Sequence, residues 1–355
     1  NENIKTLTKE IPDLIANNLV NSGFFKLLDR QAYMQKPEAL VNRPKFRDWR
    51  IIDAQTLIFG IISKKPQDKI SVSVQMWDVY GERRMLGITL SIKARSWRRI
   101  AHIISDKVYE RLTGETGYFD TRIVYVSETG DQKNKVKRLA IMDQDGANHK
   151  FLTDGKSLVL TPRFSPNQQL ITFFSYRNLK SGLKPSVYMY ELSTGKIDIL
   201  GEFEGMSFAP RFSPDGKKIV FNSDRSGKRR QLYIVDINGK NTKRISRESG
   251  SYYTPVWSPR GDMIAFTKYE NDQFYIGVME TNGNNERMIS KAFHVEGPTW
   301  SPNGRYLMYF KEERTAEDGS GGESSLFSID LTGHNERKII TPLGGSDPAW
   351  SPLMH

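Results

Sequence analysis

A serine nucleophile would call for a strand-to-helix elbow of the form Gly-x-Ser-x-Gly. The nearest approach is Gly205-Met206-Ser207-Phe208-Ala209, which departs at its last position and precedes a strand pattern instead of a helix. Five histidines, His102, His149, His294, His334 and His355, stand apart, none at helical or hairpin spacing from a second ligand. Asp143-Gln144-Asp145-Gly146 opens like a calcium loop but lacks the later carboxylates and the closing glutamate, so it reads as a hairpin turn. The 355 residues contain no cysteine, which excludes disulfides, thiolate metal sites and cysteine nucleophiles and suits an oxidising compartment. No catalytic residue, metal or cofactor is therefore expected, and function has to be sought in binding.

The elements that would position a binding surface come from internal repeats. Phe164-Ser165-Pro166, Phe212-Ser213-Pro214, Trp257-Ser258-Pro259, Trp300-Ser301-Pro302 and Trp350-Ser351-Pro352 place successive serines 48, 45, 43 and 50 residues apart. The longest interval holds a Gly/Ser/acidic insert at 316–325, a loop by composition. After each motif come a turn, a strand pattern such as Met263-Ile264-Ala265-Phe266, a second strand, a tight turn such as Asn282-Gly283, and a last short strand. Four short antiparallel strands in about 45 residues is a β-propeller blade. A single such sheet cannot bury both faces, whereas radial packing lets each face meet the next blade. Five units are counted. The first, over 122–153, lacks its own aromatic-Ser-Pro strand, and the last motif, ending at Pro352, has nothing after it. Residues 347–351 are thus expected to pair with 122–126, closing the ring and covering an open edge.

Residues 1–112 read as a small α/β domain, 113–121 as a linker and 122–355 as the propeller. In the first domain a helix is expected over 12–21, with Ile11, Leu14, Ile15 and Leu19 on one face and Gly23 as its stop. A strand is expected over 24–28, a short helix over 46–53, and strands near 56–62, 70–77 and 85–93. Ser96 would then cap a helix to Leu112, with Ile100, Ala101, Ile104 and Val108 inward and Gly114 ending it. The net charge of +11 is shared almost equally between residues 1–120 and 121–355. It lies in short clusters, Arg98-Arg99, Lys133/Lys135/Lys137/Arg138 and Lys228-Arg229-Arg230, which read as solvated surface. A nucleic-acid binder would gather them on one face among stacking aromatics, so no nucleic acid is expected, while an acidic protein partner stays open. The longest apolar run, residues 57–62, falls far short of the roughly 20 residues of a membrane span. The sequence opens at Asn1 with neither an initiator methionine nor a charged-then-apolar leader, which reads as a processed chain whose export signal has been removed.

In a propeller the residues just before each innermost strand ring the mouth of the central channel. Here these are Leu160-Thr161, Phe208-Ala209, Tyr253-Thr254, Glu296-Gly297 and Ser346-Asp347. Met206, Phe208, Tyr252 and Tyr253 are unusually apolar for such positions. They either fill the throat against one another or act as aromatic anchors of a docking surface.

The blade pattern x-Pro-x-[Trp/Phe]-Ser-Pro-[Asp/Asn]-Gly, with Ser223-Asp224-Arg225-Ser226-Gly227 after the following strand, resembles the repeat of the TolB family. Trp97-Arg98-Arg99-Ile100-Ala101-His102 through Leu112-Thr113-Gly114 is similar to the end of that family's amino-terminal domain. Gly117-Tyr118-Phe119-Asp120-Thr121-Arg122 resembles its inter-domain junction, and Asn21-Ser22-Gly23-Phe24-Phe25 fits its first helix-to-strand turn. The resemblance implies a monomeric, non-enzymatic periplasmic adaptor of the Tol–Pal envelope system, serving envelope integrity, cell division and protein import. Its propeller mouth would bind a Pal-like peptidoglycan-associated lipoprotein, and its amino-terminal segment a TolA-like inner-membrane protein. By position, the partner-binding residues would be Thr161, Met206, Phe208, Ala209, Tyr252, Tyr253, Thr254, Gly297 and Asp347. The family has six blades where five units are counted, and the family's leading strand and partner-binding extension have no counterpart before the first helix of this sequence. A propeller-containing hydrolase or lyase lacking its catalytic domain is the alternative, because similar repeats accompany peptidases.

Overall fold

The serine of each repeat explains why the motif recurs. Its backbone N–H donates to the carbonyl of the first residue of the next strand: Ser165 to Leu170, Ser213 to Lys218, Ser258 to Met263 and Ser301 to Tyr306, all at 2.8–2.9 Å. Its hydroxyl accepts the N–H of that same residue, at 3.1, 2.9, 3.2 and 2.9 Å in turn. In three repeats the hydroxyl also donates to the turn residue behind the proline, to Asp215, Asp262 or Asn303 at 2.6–2.7 Å. The aromatic residue before the serine points the other way, and in Trp257 and Trp300 it reaches the neighbouring blade.

The computed structural model describes the chain except residues 1, 41–42, 131–134, 166–168, 180–181, 203–209, 226, 228, 237, 239, 315–320 and 355. Side chains at 2–3, 176–187, 199–202, 313 and 321 are likewise outside the description. Chain contacts divide it into two units, Asn1–Asp120 and Thr121–His355.

In the first unit, helix α1 (Glu2–Asn21) starts ten residues before the expected helix and runs through Pro12. The proline removes one backbone hydrogen bond, but the buried stripe of Leu7, Ile11, Leu14, Ile15 and Leu19 continues across it. That burial outweighs the missing bond. Helix α2 (Phe46–Ile51) precedes an antiparallel meander of β1 (Thr56–Lys65), β2 (Lys69–Asp78) and β3 (Arg83–Lys93). Helix α3 (Trp97–Thr113) buries Ile100, Ala101, Ile104 and Val108 as expected. It ends on Gly114 at φ 75°, a left-handed cap whose N–H reaches Glu110. Ser96 makes no side-chain cap, because a 3₁₀ turn over Ala94–Ser96 feeds directly into the helix. No strand forms over 24–28. Phe24 and Phe25 instead set their ring edges on Tyr109 at 5.9 and 6.3 Å. From the stretch expected to link the two units, Tyr118 and Phe119 are buried beside the same Tyr109. The Asp106 carboxylate accepts the N–H groups of Phe119 and Asp120 at 2.7 and 3.0 Å.

The second unit holds five four-stranded antiparallel sheets among the described residues. Blade 1 takes its innermost strand, Gly344–Trp350, from the far end of the sequence and continues with Arg122–Thr129, Val136–Asp143 and Lys150–Phe151. The register pairs Ser346 with Val126, Ala349 with Val124 and Trp350 with Ile123. Ser351 repeats the serine pattern across the sequence ends, donating to the Arg122 carbonyl at 2.8 Å and accepting its N–H at 2.9 Å. Blades 2 to 5 run from Leu158 to Glu202, Arg211 to Arg244, Ser251 to Ala292 and His294 to Ile339. Buried clusters join blade 1 to blade 2 (Val124, Val126 and Ala349 with Ile171, Phe173 and Tyr188). Others join blade 3 to blade 4 (Val220, Leu232 and Ile234 with Trp257, Ile264 and Phe266) and blade 4 to blade 5 (Ala265, Ile276 and Val278 with Trp300 and Leu307). The indole N–H of Trp257 reaches the Arg211 carbonyl at 3.1 Å, and that of Trp300 the Val256 carbonyl at 3.3 Å. Asp143-Gln144-Asp145-Gly146 is the expected hairpin turn, closed by Asp143 N–H to Ala147 at 2.8 Å.

Candidate functional site at the channel mouth

In blades 1, 2, 4 and 5 the innermost strand bulges at the same place, just before its proline. The pairing register shifts between Leu160 and Arg163, Tyr253 and Val256, Glu296 and Thr299, and Ser346 and Ala349 in blades 2, 4, 5 and 1. The residue before the proline is left-handed in each: Thr161 at φ 46°, Thr254 at 44°, Gly297 at 69° and Asp347 at 49°. Glycine takes this conformation freely. For β-branched threonine it is an outlier costing about 1–3 kcal/mol, and two threonines hold it. A strained bulge repeated around the ring bends the strand entrances away from regular pairing.

Three of these residues meet. Asp347 of blade 1 accepts the N–H of Thr161 of blade 2 at 3.4 Å. On its other side lies Gly297 of blade 5, where a Cβ would stand 3.6 Å from Asp347 Oδ1, an ordinary contact distance. Thr254 bonds the Thr267 hydroxyl across its own sheet at 2.8 Å.

The two tyrosines diverge. Tyr252 is fully buried: its ring sits 5.2 Å from Phe266, the Lys268 ammonium lies 5.3 Å from the ring centre, and its hydroxyl donates to both Glu286 oxygens at 2.9 and 2.8 Å. Burial and then the Glu286 charge push its phenol well up. It packs between blades 3 and 4 and offers a partner no surface. Tyr253 faces the opposite way, half-buried, with the Arg230 guanidinium 5.4 Å from its ring centre. Met206, Phe208 and Ala209, with the elbow-like stretch that contains them, lie outside the described residues, as do Lys133, Pro166, Ser226, Lys228 and the first half of the 316–325 insert.

An ion-pair chain at this end went unforeseen. Glu128 is nearly buried and accepts from Lys137 at 2.8 Å, Lys135 at 3.1 Å and the Ser346 hydroxyl at 2.6 Å. Lys135 reaches on to Glu312 at 3.7 Å, Glu312 to His294 Nδ1 at 3.0 Å, and His294 Nε2 lies 3.4 Å from Glu296. Burial pushes Glu128 up, yet Lys137, Ser346 and Lys135 together hold it below the ordinary carboxylate value. His294 is raised, by Glu296 first and against its own burial, then by Glu312. Both its ring nitrogens are engaged by carboxylates. Lys135 and Lys137 are therefore part of a half-buried network instead of solvated surface. Their alternation with Glu128 on a paired strand is the signal that could have shown it.

Against known proteins, the model of the TolB β-propeller domain matches residues 109–221 and 211–354, and that of the TolB amino-terminal domain matches residues 1–85. The chain belongs to the TolB family. The Tol-Pal system protein TolB of Gluconobacter oxydans is 39% identical over 391 residues, covering 98% of this chain and 83% of that protein. That of Rickettsia bellii is 42% identical over 401 residues, covering 99% and 89%. Among solved structures, TolB from Acinetobacter baumannii superposes with a TM-score of 0.83 at 22% identity, covering 97% of this chain and 94% of that one, which shows the shared fold.

Proposed function

We propose that this chain is a non-enzymatic periplasmic adaptor of a Tol–Pal envelope system, supporting envelope integrity and cell division. Its propeller mouth docks a Pal-like peptidoglycan-associated lipoprotein, while contact with a TolA-like inner-membrane protein would fall to a segment ahead of helix α1 and not to the domain described here. The observation that carries the reading is the ring of strained bulges at Thr161, Thr254, Gly297 and Asp347, with Tyr253 half-exposed beside them. Backbone strain of this kind persists where surrounding structure enforces it, and it gathers at recognition sites. The curated relatives carry the Tol–Pal system in their names, and no described helix is long and apolar enough to cross a membrane.

The test is a binding titration with the peptidoglycan-binding domain of a Pal-like lipoprotein. Parent protein should bind saturably. Tyr253→Ala should weaken binding by about 1–2 kcal/mol with the melting temperature nearly unchanged. If that variant binds like the parent but melts several degrees lower, Tyr253 is packing, and the docking surface lies elsewhere.

A further inference from the structure

The seam between blades 3 and 4 stands open at the end of the sheets away from the strand entrances. There the turn at 213–218 of blade 3 faces Arg260, Gly261, Thr281 and Asn282 of blade 4 across a cavity of about 620 Å³. One turn position accounts for the opening. Behind the repeat proline blade 4 carries Arg260, whose Nη2 crosses the next seam to the Asn303 carbonyl of blade 5 at 3.0 Å. Blade 3 carries Asp215 there. Its side chain is shorter and folds back on its own turn, where Oδ1 accepts the Ser213 hydroxyl at 2.6 Å and the Lys217 N–H at 3.1 Å.

Two contacts between the blades bracket the cavity. On one side the turns touch, since a Cβ on Gly261 would stand 3.8 Å from the Pro214 ring. On the other, Arg247 of blade 3 donates to the Asn282 carbonyl at 3.1 Å and to Asn284 Oδ1 at 2.8 Å. Beside it Gly283 lies so close to the Ile245 carbonyl that any side chain there would collide. A space of this volume, closed on two sides, suits a small molecule and not a polypeptide running through. Its floor is apolar, made by Ile234, Ile245 and Trp257, and its rim carries Lys218, Lys243 and Arg260. Lys218 is paired with Asp236 at 2.9 Å. Lys243 and Arg260 have no carboxylate partner among the described residues, and Asp215 is the only acid on the described lining.

We propose that this cavity binds a small organic anion, its apolar or ring-shaped body on Ile234, Ile245 and Trp257 and its acidic group at Lys243 and Arg260. Burial of the body supplies most of the affinity, and charge-assisted hydrogen bonds to the ammonium and guanidinium select the acid. The site lies away from the strand entrances and is independent of which protein docks at the mouth.

The full chain with ¹⁵N-labelled tryptophan would be titrated with 2-naphthoate and, separately, with neutral 2-naphthamide. The reporter is the indole N–H resonance of Trp257, assigned through Trp257→Phe. The expected result is a saturable shift with naphthoate and an affinity about fivefold or more weaker for the amide. Lys243→Gln, at an exposed position, should weaken naphthoate binding about threefold or more. Thr281→Trp, which fills the cavity, should abolish it. No saturable shift with naphthoate overturns the proposal, and so does equal affinity for the amide or unchanged binding in Lys243→Gln. A folded Thr281→Trp variant that binds like the parent places the ligand elsewhere and overturns it too. Should that variant fail to fold, Lys243→Gln still decides.

Discussion

The two flanks of blade 3 present the same repeat to very different surroundings. On the side of blade 4, Trp257 is 7% exposed, its indole N–H bonded to the Arg211 carbonyl within a cluster of nine buried residues. On the other flank stands Phe212, the same position one repeat earlier, at 65% exposure. Trp300 and Trp350 are buried like Trp257, and Phe164 packs partly against the blade 1–blade 2 cluster. Of the five motif aromatics, Phe212 alone is left in solvent. The serine bonds of its repeat are intact all the same. The motif thus has two separable parts: a serine that shapes its own sheet wherever it occurs, and an aromatic that stabilises only when a neighbouring blade approaches.

Three measurements would break or sharpen that contrast. Trp257→Ala should cost about 3–5 kcal/mol in chemical denaturation, and Phe212→Ala under about 1 kcal/mol. Equal losses would show that the two flanks are equally packed in solution. Next in size, Tyr252→Phe removes a buried hydroxyl from Glu286 at the blade 3–blade 4 junction and should cost about 1–2 kcal/mol. Lys268 stays with Glu286 at 3.1 Å, so the carboxylate is not stranded. The smallest effect concerns the junction of blades 5 and 1, which adds an ion network. Glu128 is held below its ordinary value, so its contribution to stability is complete above about pH 4.3 and is lost as pH falls through the lowered value. Glu128→Gln should therefore flatten the acid limb of the stability–pH curve. An unchanged limb would mean the network adds nothing to that junction.

Period and punctuation made most of the propeller readable in advance. Five serines in step fix the sheets, and the unpaired motif at Trp350 predicts its own partner. Tyr252 and Tyr253 show where such reading ends. Adjacent strand residues point to opposite faces, and only the bulge, which slips the register, decides which one is buried. Helix α1 extends ten residues ahead of Pro12 because the packing of Leu7 outweighs the proline's local penalty, and that packing is not written in the local sequence. Residues 24–28 have strand-like chemistry, but Phe24 and Phe25 are taken up by Tyr109 instead of a sheet edge.

The hydrogen bonds between Ser351 and Arg122 cross 229 residues of sequence. Until the strand Gly344–Trp350 has been made and docked, the strand Arg122–Thr129 has an open edge. Blade 1 therefore matures after the blades that follow it in the sequence, and its loop-closure cost makes it a late, slow event in folding. A protease that clipped the chain just ahead of Gly344 would leave four blades with all their own strands and one with a bare flank, an unpaired edge open to aggregation.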